Sequence, residues 1–282
     1  MMTYNSPLVS TEWLAEHLAA PDVRVADASW YLPQTGRDAK SEYLSAHIPG
    51  AVFFDIDDLS DETSTLPHML PPAPQFASRM RQLGLGDGNL IVVYDGAGIY
   101  SAPRAWWMLR VMGHEEVAVL DGGLPKWKRE GRPLEDLVPQ PHPRHFTPRP
   151  NNALIRDFAQ MTANLKAARE QVVDLRSAAR FAGKEAEPRL GVHPGHIPGS
   201  ANLPYTELSD SAGMLKKQDA LRKIFSQRGI DPARPVVTTC GSGITAAIGM
   251  LALMVGGARD VALYDGSWSE WGARPEAPVA TG

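Results

Sequence analysis

Four signals occur twice in this 282-residue chain, in the same order, and that recurrence limits its possible folds more than any other feature. Val25-Ala-Asp-Ala is answered by Val172-Val-Asp-Leu, and His47-Ile-Pro-Gly by His196-Ile-Pro-Gly. Ile91-Val-Val-Tyr-Asp-Gly is answered by Val236-Val-Thr-Thr-Cys-Gly, and Asp121-Gly-Gly-Leu-Pro-Lys-Trp by Asp265-Gly-Ser-Trp-Ser-Glu-Trp. The offsets are 147, 149, 145 and 144 residues, and a shift this steady means duplication of one unit. Between the copies, Pro139-Gln-Pro-His-Pro-Arg-His-Phe-Thr-Pro-Arg-Pro-Asn-Asn has too many prolines for a helix or a central strand, so it reads as an extended linker. The expected organisation is a first domain over 1–138, a linker over 139–152 and a second domain over 153–282.

Within each half, short β-branched runs alternate with longer helix-like segments. The runs are Val23–Ala26, Leu90–Tyr94 and Val117–Leu120, then Val172–Leu175, Val236–Thr239 and Val261–Tyr264. The helical segments include Thr11–Ala19, Pro74–Leu83, Ala102–Val111 and Ala246–Val255. This alternation predicts an α/β fold in each half, a parallel sheet flanked by helices on both faces. Ligands of such sheets sit beyond the carboxyl ends of the strands, and Cys240 falls there, directly after Val236–Thr239.

The composition narrows the function. A net charge of −4 with pI near 6.1 comes from interspersed charges, which imply neither nucleic acid nor an anionic membrane as partner. The start, MMTYNSPLVSTEW, has no cationic stretch and no apolar run, and the most apolar segment, Ile248 to Val255, is too short to span a bilayer. A soluble, unsecreted, cytoplasmic protein is expected. The single cysteine excludes an internal disulfide and a cysteine cluster for metal. No metal or organic cofactor is implied.

That cysteine sits in Thr239-Cys-Gly-Ser-Gly-Ile-Thr-Ala, a turn between a strand and a helix start. Gly241 and Gly243 let the backbone curl so that N–H groups point inward, and the helix adds its positive end. Such a nest favours a thiolate, the nucleophilic form, and would equally hold the terminal sulfur of a persulfide. The bland alternative is a tight turn with Cys240 packed beneath it. The first half keeps the glycines in Asp95-Gly-Ala-Gly-Ile but has a carboxylate in place of the thiol, so the turn itself does not require cysteine. One half looks catalytic and the other retired.

The two His-Ile-Pro-Gly motifs, the Cys240-Gly-Ser-Gly-Ile-Thr loop and Tyr264-Asp-Gly-Ser-Trp-Ser-Glu-Trp resemble the tandem-domain rhodanese superfamily, and within it the 3-mercaptopyruvate sulfurtransferases. The resemblance covers nearly the whole chain. It implies that Cys240 takes sulfur from a small-molecule donor as a persulfide and passes it to a thiol, thioredoxin or cyanide. It implies substrate contacts from the loop residues Gly241, Gly243, Ile244 and Thr245, with Ile244 where the family usually has Val. Arg180 and Arg189 match family positions that clamp the carboxylate and ketone of mercaptopyruvate, a task suited to the planar guanidinium. Ser242, Asp57 and His68 match a triad proposed in the family to manage protons around the cysteine. His47 and His196 recur in both halves and are expected to orient a turn.

The donor remains open between mercaptopyruvate and thiosulfate. Thiosulfate enzymes of the family carry basic residues directly after the cysteine, whereas Gly241 and Ser242 are neutral, which favours mercaptopyruvate. Two other classes stay in view. A cysteine phosphatase would need an arginine where this loop has Ala246. A non-catalytic binding module of the same fold would have no use for the cysteine.

Overall fold

The computed structural model of the protein describes residues 6–282. The chain divides into two compact units. The first comprises residues up to Glu62, Leu70–Asn151 and Asp210–Leu215, and the second comprises Thr63–Met69, Asn152–Ser209 and Lys216–Gly282. The stretch 63–69 thus groups with the second unit, and 210–215 with the first.

The first unit holds strands β1 (Leu8–Val9), β2 (Val23–Asp27), β3 (Val52–Phe53), β4 (Leu90–Tyr94) and β5 (Val117–Leu120). The second holds β6 (Ile155–Arg156), β7 (Gln171–Asp174), β8 (Ala201–Asn202), β9 (Val236–Thr239) and β10 (Val261–Tyr264). The sheet orders are β1-β5-β4-β2-β3 and β6-β10-β9-β7-β8, the same topology twice, with every pairing parallel. The α/β fold expected from the alternation is therefore found in both halves. All six anticipated strands are present to within a residue at each end. The four missed strands, β1, β3, β6 and β8, have two residues each, too few to show a periodicity.

Every residue of β4, β5, β9 and β10 is buried, as expected where helices cover both faces of a parallel sheet. The helix Ala246–Val255 is apolar almost all round and buried from Ala246 to Leu253, so it is an internal element and not an amphipathic cover. It approaches the sheet through Gly249, where a Cβ would meet Leu175 side-chain atoms at 2.8–2.9 Å. The helix Gln218–Gln227 shows the opposite pattern, burying only Leu221 and Phe225. Asp157 opens the helix Phe158–Ala167 with a reciprocal capping box to Gln160, which satisfies two otherwise orphaned amides.

The recurring histidines do the same work in each unit. His47 Nδ1 lies 2.7 Å from the Tyr43 carbonyl and its ring stacks on Tyr43, while His196 Nδ1 lies 2.8 Å from the Phe181 carbonyl and stacks on Phe181. Each also forms an isolated antiparallel bridge, His47 with Glu135 and His196 with Ala280. These are fold contacts. The proline-rich segment runs without helix or strand along the first unit, where Phe146 is buried against Phe76 and the Arg149 and Asn151 amides bond to the Met112 and Val111 carbonyls.

Candidate active site

β9 ends beside β7, with Thr239 in register with Asp174, and Cys240 is the next residue. The Cys240 side chain is buried, and the turn after β10 grips the backbone around it. Cys240 N–H donates to Ser267 Oγ (3.3 Å), Trp268 N–H donates to the Cys240 carbonyl (3.0 Å), and Ser269 donates to the Gly241 carbonyl through both N–H (2.8 Å) and Oγ (2.5 Å). Ser267 holds this position at φ 49°, in a region where a side chain costs on the order of 1–3 kcal/mol. That cost is offset by the clamp it completes.

The two loop glycines have different jobs. Gly243, at φ 84°, supplies the left-handed turn. Gly241 does not lie in that region, contrary to the expectation that both glycines curl the backbone; what distinguishes its place is the close approach of a side chain. A Cβ there would sit 3.3 Å from Arg180 Nη2, so the guanidinium lies over the loop next to the cysteine. Ile244 is buried, and Thr245 precedes the helix that begins at Ala246.

The first unit shows what this loop binds. Asp95, at the position of Cys240, turns its buried carboxylate into its own loop. It accepts from Ala97 N–H (2.9 Å) on one oxygen and from Tyr100 (2.8 Å), Ser101 (2.9 Å) and Ala102 (2.9 Å) N–H on the other. Leu124 N–H donates to the Asp95 carbonyl (3.0 Å), as Trp268 N–H does to that of Cys240. The turn is therefore an anion cradle, filled in the first unit by a built-in carboxylate. By the repeat, Ser242, Thr245, Ala246 and Ala247 of the second unit stand where those four amides do.

A chain of charges leads to the loop. Arg176 is fully buried and forms a two-pronged pair with Asp174 at the end of β7 (3.1 and 2.6 Å). Its other side donates to Glu187 (2.8 Å) and to the Gly195 carbonyl (2.7 Å), and its guanidinium stacks over Trp268 at 4.4 Å. Glu187, 3% exposed, in turn pairs with Arg180. Burial acts to lower the Arg180 pKa, but the Glu187 carboxylate outweighs it, so the guanidinium is held above its usual range. Arg189 is pushed down by burial and then by repulsion from Arg180, with Cys240 acting the other way, and it forms no ion pair among the described residues. Three guanidiniums against two carboxylates leave this cluster with a net single positive charge beside the thiol.

His68 belongs to the stretch that groups with the second unit, and its Nδ1 lies 3.0 Å from Ser242 Oγ, both side chains buried. His68 adopts φ 59°, another costly conformation at the site. Asp57 belongs to the first unit, where its exposed carboxylate accepts from the Trp30 indole N–H at 3.0 Å. Cys240, Ser242, His68, Arg180 and Arg189 are thus all members of one unit, and Asp57 is placed in the other. Sequence reasoning missed Arg176, Glu187 and Tyr205. Arg176 stands two residues after the strand-ending Asp174, while Glu187 joins the site only through its tertiary pairs with Arg176 and Arg180. Tyr205, whose hydroxyl pKa is raised by burial and then by the charge of Cys240, carried no local signal.

Two copies of one parallel α/β unit, with a carboxylate at the strand-end turn of the first and a buried thiol at the same position of the second, define a duplicated cysteine-loop protein. The rhodanese-like domain model matches residues 10–130 and again 157–274. The chain belongs to the rhodanese-like family. It is 46% identical to human 3-mercaptopyruvate sulfurtransferase over 98% of this chain and 95% of that one. It is 43% identical to the thiosulfate sulfurtransferase of Cricetulus griseus, over 98% and 95%. Among solved structures it resembles SseA, a 3-mercaptopyruvate sulfotransferase from Escherichia coli, with a TM-score of 0.86 and 43% identity over 94% of this chain and all of that one.

Proposed function

We propose that the protein is a sulfurtransferase that moves sulfur from 3-mercaptopyruvate through a persulfide on Cys240 to a thiol acceptor, thioredoxin or a small thiol, releasing pyruvate. The observation that carries this reading is a loop whose amides cradle the Asp95 carboxylate in the first unit and which bears the buried Cys240 at the same position in the second, with a cluster of net charge +1 next to it. A monocarboxylate donor matches one spare positive charge; dianionic thiosulfate would leave a charge unpaired. The need for a reduced thiol agrees with a cytoplasmic setting.

In this reading the Cys240 thiolate attacks the donor sulfur and the C–S bond breaks. The electron pair of that bond leaves as the pyruvate enolate, and its carbon takes the proton that the donor thiol had carried, relayed through Ser242 and His68. Cys240 is left as an anionic persulfide in the cradle of the Ser242, Thr245, Ala246 and Ala247 amides, flanked by Gly241, Gly243 and Ile244. An acceptor thiolate then attacks the outer sulfur and frees Cys240. Arg180 and Arg189 hold the donor carboxylate; Asp57, the third member of the expected triad, belongs to the first unit, where it accepts from the Trp30 indole N–H. Cys240, Ser242, Arg180 and Arg189 lie in the second domain, 153–282; the first, 1–138, has Asp95 at the nucleophile position and is non-catalytic there, while His68, from the stretch 63–69 that groups with the second unit, serves the relay.

Arg180→Ala and Arg189→Ala test the clamp. Each should lower kcat/KM for mercaptopyruvate about ten- to a hundredfold, the loss of a charge-assisted contact worth about 1.5–3 kcal/mol. Arg180→Ala should be the worse of the two, because it also leaves Glu187 with one guanidinium fewer. Unchanged kinetics in both variants would remove the arginines from the site.

Donor choice is tested by steady-state kinetics with both donors. The wild type should have a much higher kcat/KM for mercaptopyruvate than for thiosulfate, and Gly241→Arg with Ser242→Lys should narrow or invert the ratio by placing cations beside the thiolate. The expected obstacle is Arg180, 3.3 Å from a Cβ at 241, which a new cation must displace. A wild type that prefers thiosulfate would assign the protein to the thiosulfate branch instead.

A further inference from the structure

The first unit contains a cavity of about 390 Å³ that the sulfur chemistry does not use. It lies at the entry of β2, roofed by the first residues of the proline-rich segment. Its walls are largely apolar, with Leu18, Val52, Leu85 and Pro141 among them, while its ionisable lining groups are Arg24, Arg144 and His142, with no carboxylate. The roof is seated closely. Gly84, at φ 67°, faces Pro141 so tightly that a Cβ would come within 2.7 Å of it, and Arg144 N–H donates to the Arg81 carbonyl at 3.3 Å.

Two guanidiniums share this space without a carboxylate partner. Arg24 uses one nitrogen on the Val23 carbonyl (2.6 Å), and neither Arg24 nor Arg144 forms an ion pair among the described residues. Arg24 is pushed below its usual pKa first by burial and then by the charge of Arg144, with only Asp22, outside the lining, opposing. Like charges held together over an apolar floor are relieved by an anion that brings its own apolar body. The volume falls in the range of small-molecule sites, about 300–1,000 Å³.

We infer that this cavity is a second binding site, for an amphipathic organic anion whose carboxylate or sulfonate head pairs with Arg24 and Arg144 while its apolar body lies against Leu18, Val52, Leu85 and Pro141. It is independent of the cysteine loop and of the donor assignment.

The test uses 4-(trifluoromethyl)benzoate as the probe, followed by ¹⁹F NMR on the full chain, with the neutral 4-(trifluoromethyl)benzamide as its control. The wild type should bind the benzoate saturably, and the benzamide at least about tenfold more weakly. Arg144→Gln, on a half-buried extended segment that tolerates the change, should weaken the benzoate about tenfold, and Arg24→Gln with Arg144→Gln further. Arg180→Ala should leave the affinity unchanged, which separates this site from the cysteine loop. No saturable binding, equal binding of the benzamide, indifference to Arg144→Gln, or loss of binding in Arg180→Ala would each overturn the inference.

Discussion

Cys240→Ser should abolish sulfur transfer, lowering turnover by several orders of magnitude, while the protein remains folded. The hydroxyl is a poor sulfur nucleophile at neutral pH and cannot hold a persulfide. Folding should survive because the contacts that fix the loop are made by the backbone of residue 240, through Ser267 and Trp268, and not by its sulfur. The thermal midpoint should therefore stay close to that of the wild type. Mass spectrometry gives the direct view: wild type exposed to mercaptopyruvate without acceptor should gain one sulfur atom on the peptide containing Cys240. An unmodified peptide under conditions of turnover would remove the persulfide from the mechanism.

Asp95→Ala should have the largest effect on stability, about 3–5 kcal/mol, without touching a reacting atom. The side chain is fully buried, and its two oxygens satisfy the amides of Ala97, Tyr100, Ser101 and Ala102 at 2.8–2.9 Å. Alanine leaves those donors unsatisfied in a buried turn, and hydrogen bonds to a charged group are worth about 1.5–3 kcal/mol each, though not additively. The loss should appear in calorimetry as a fall of about 10 °C in the midpoint of the first unit's transition. A midpoint within a degree or two of wild type would show that the cradle does not depend on its anion.

The same comparison shows how far the primary structure could be read. Val236–Thr239, Cys240 and Ala246–Val255 were legible because strand runs, turn glycines and helix starts are local. The duplication was legible because it repeats those local signals at a steady offset. Gly241 was misread as a conformational glycine. The group that comes close to it is the guanidinium of Arg180, sixty-one residues earlier in the chain, and no local pattern announces such an approach. The ladder from Asp174 through Arg176 and Glu187 to Arg180 was missed for a related reason: each residue alone resembles an ordinary surface charge, and only burial turns them into an obligatory chain of pairs.

The sequence alone thus determined the duplicated parallel α/β architecture, the position of the one thiol at the carboxyl end of a strand, and the replacement of that thiol by Asp95 in the other copy. All of these depend on backbone preferences and on order along the chain. The tertiary structure decided which side chains come together: His68 with Ser242, 174 residues away, Arg180 over Gly241, and Arg24 and Arg144 on the wall of one cavity in the first unit. Charge pairing and desolvation act through space, and the distances that govern them exist only once the sheets have formed.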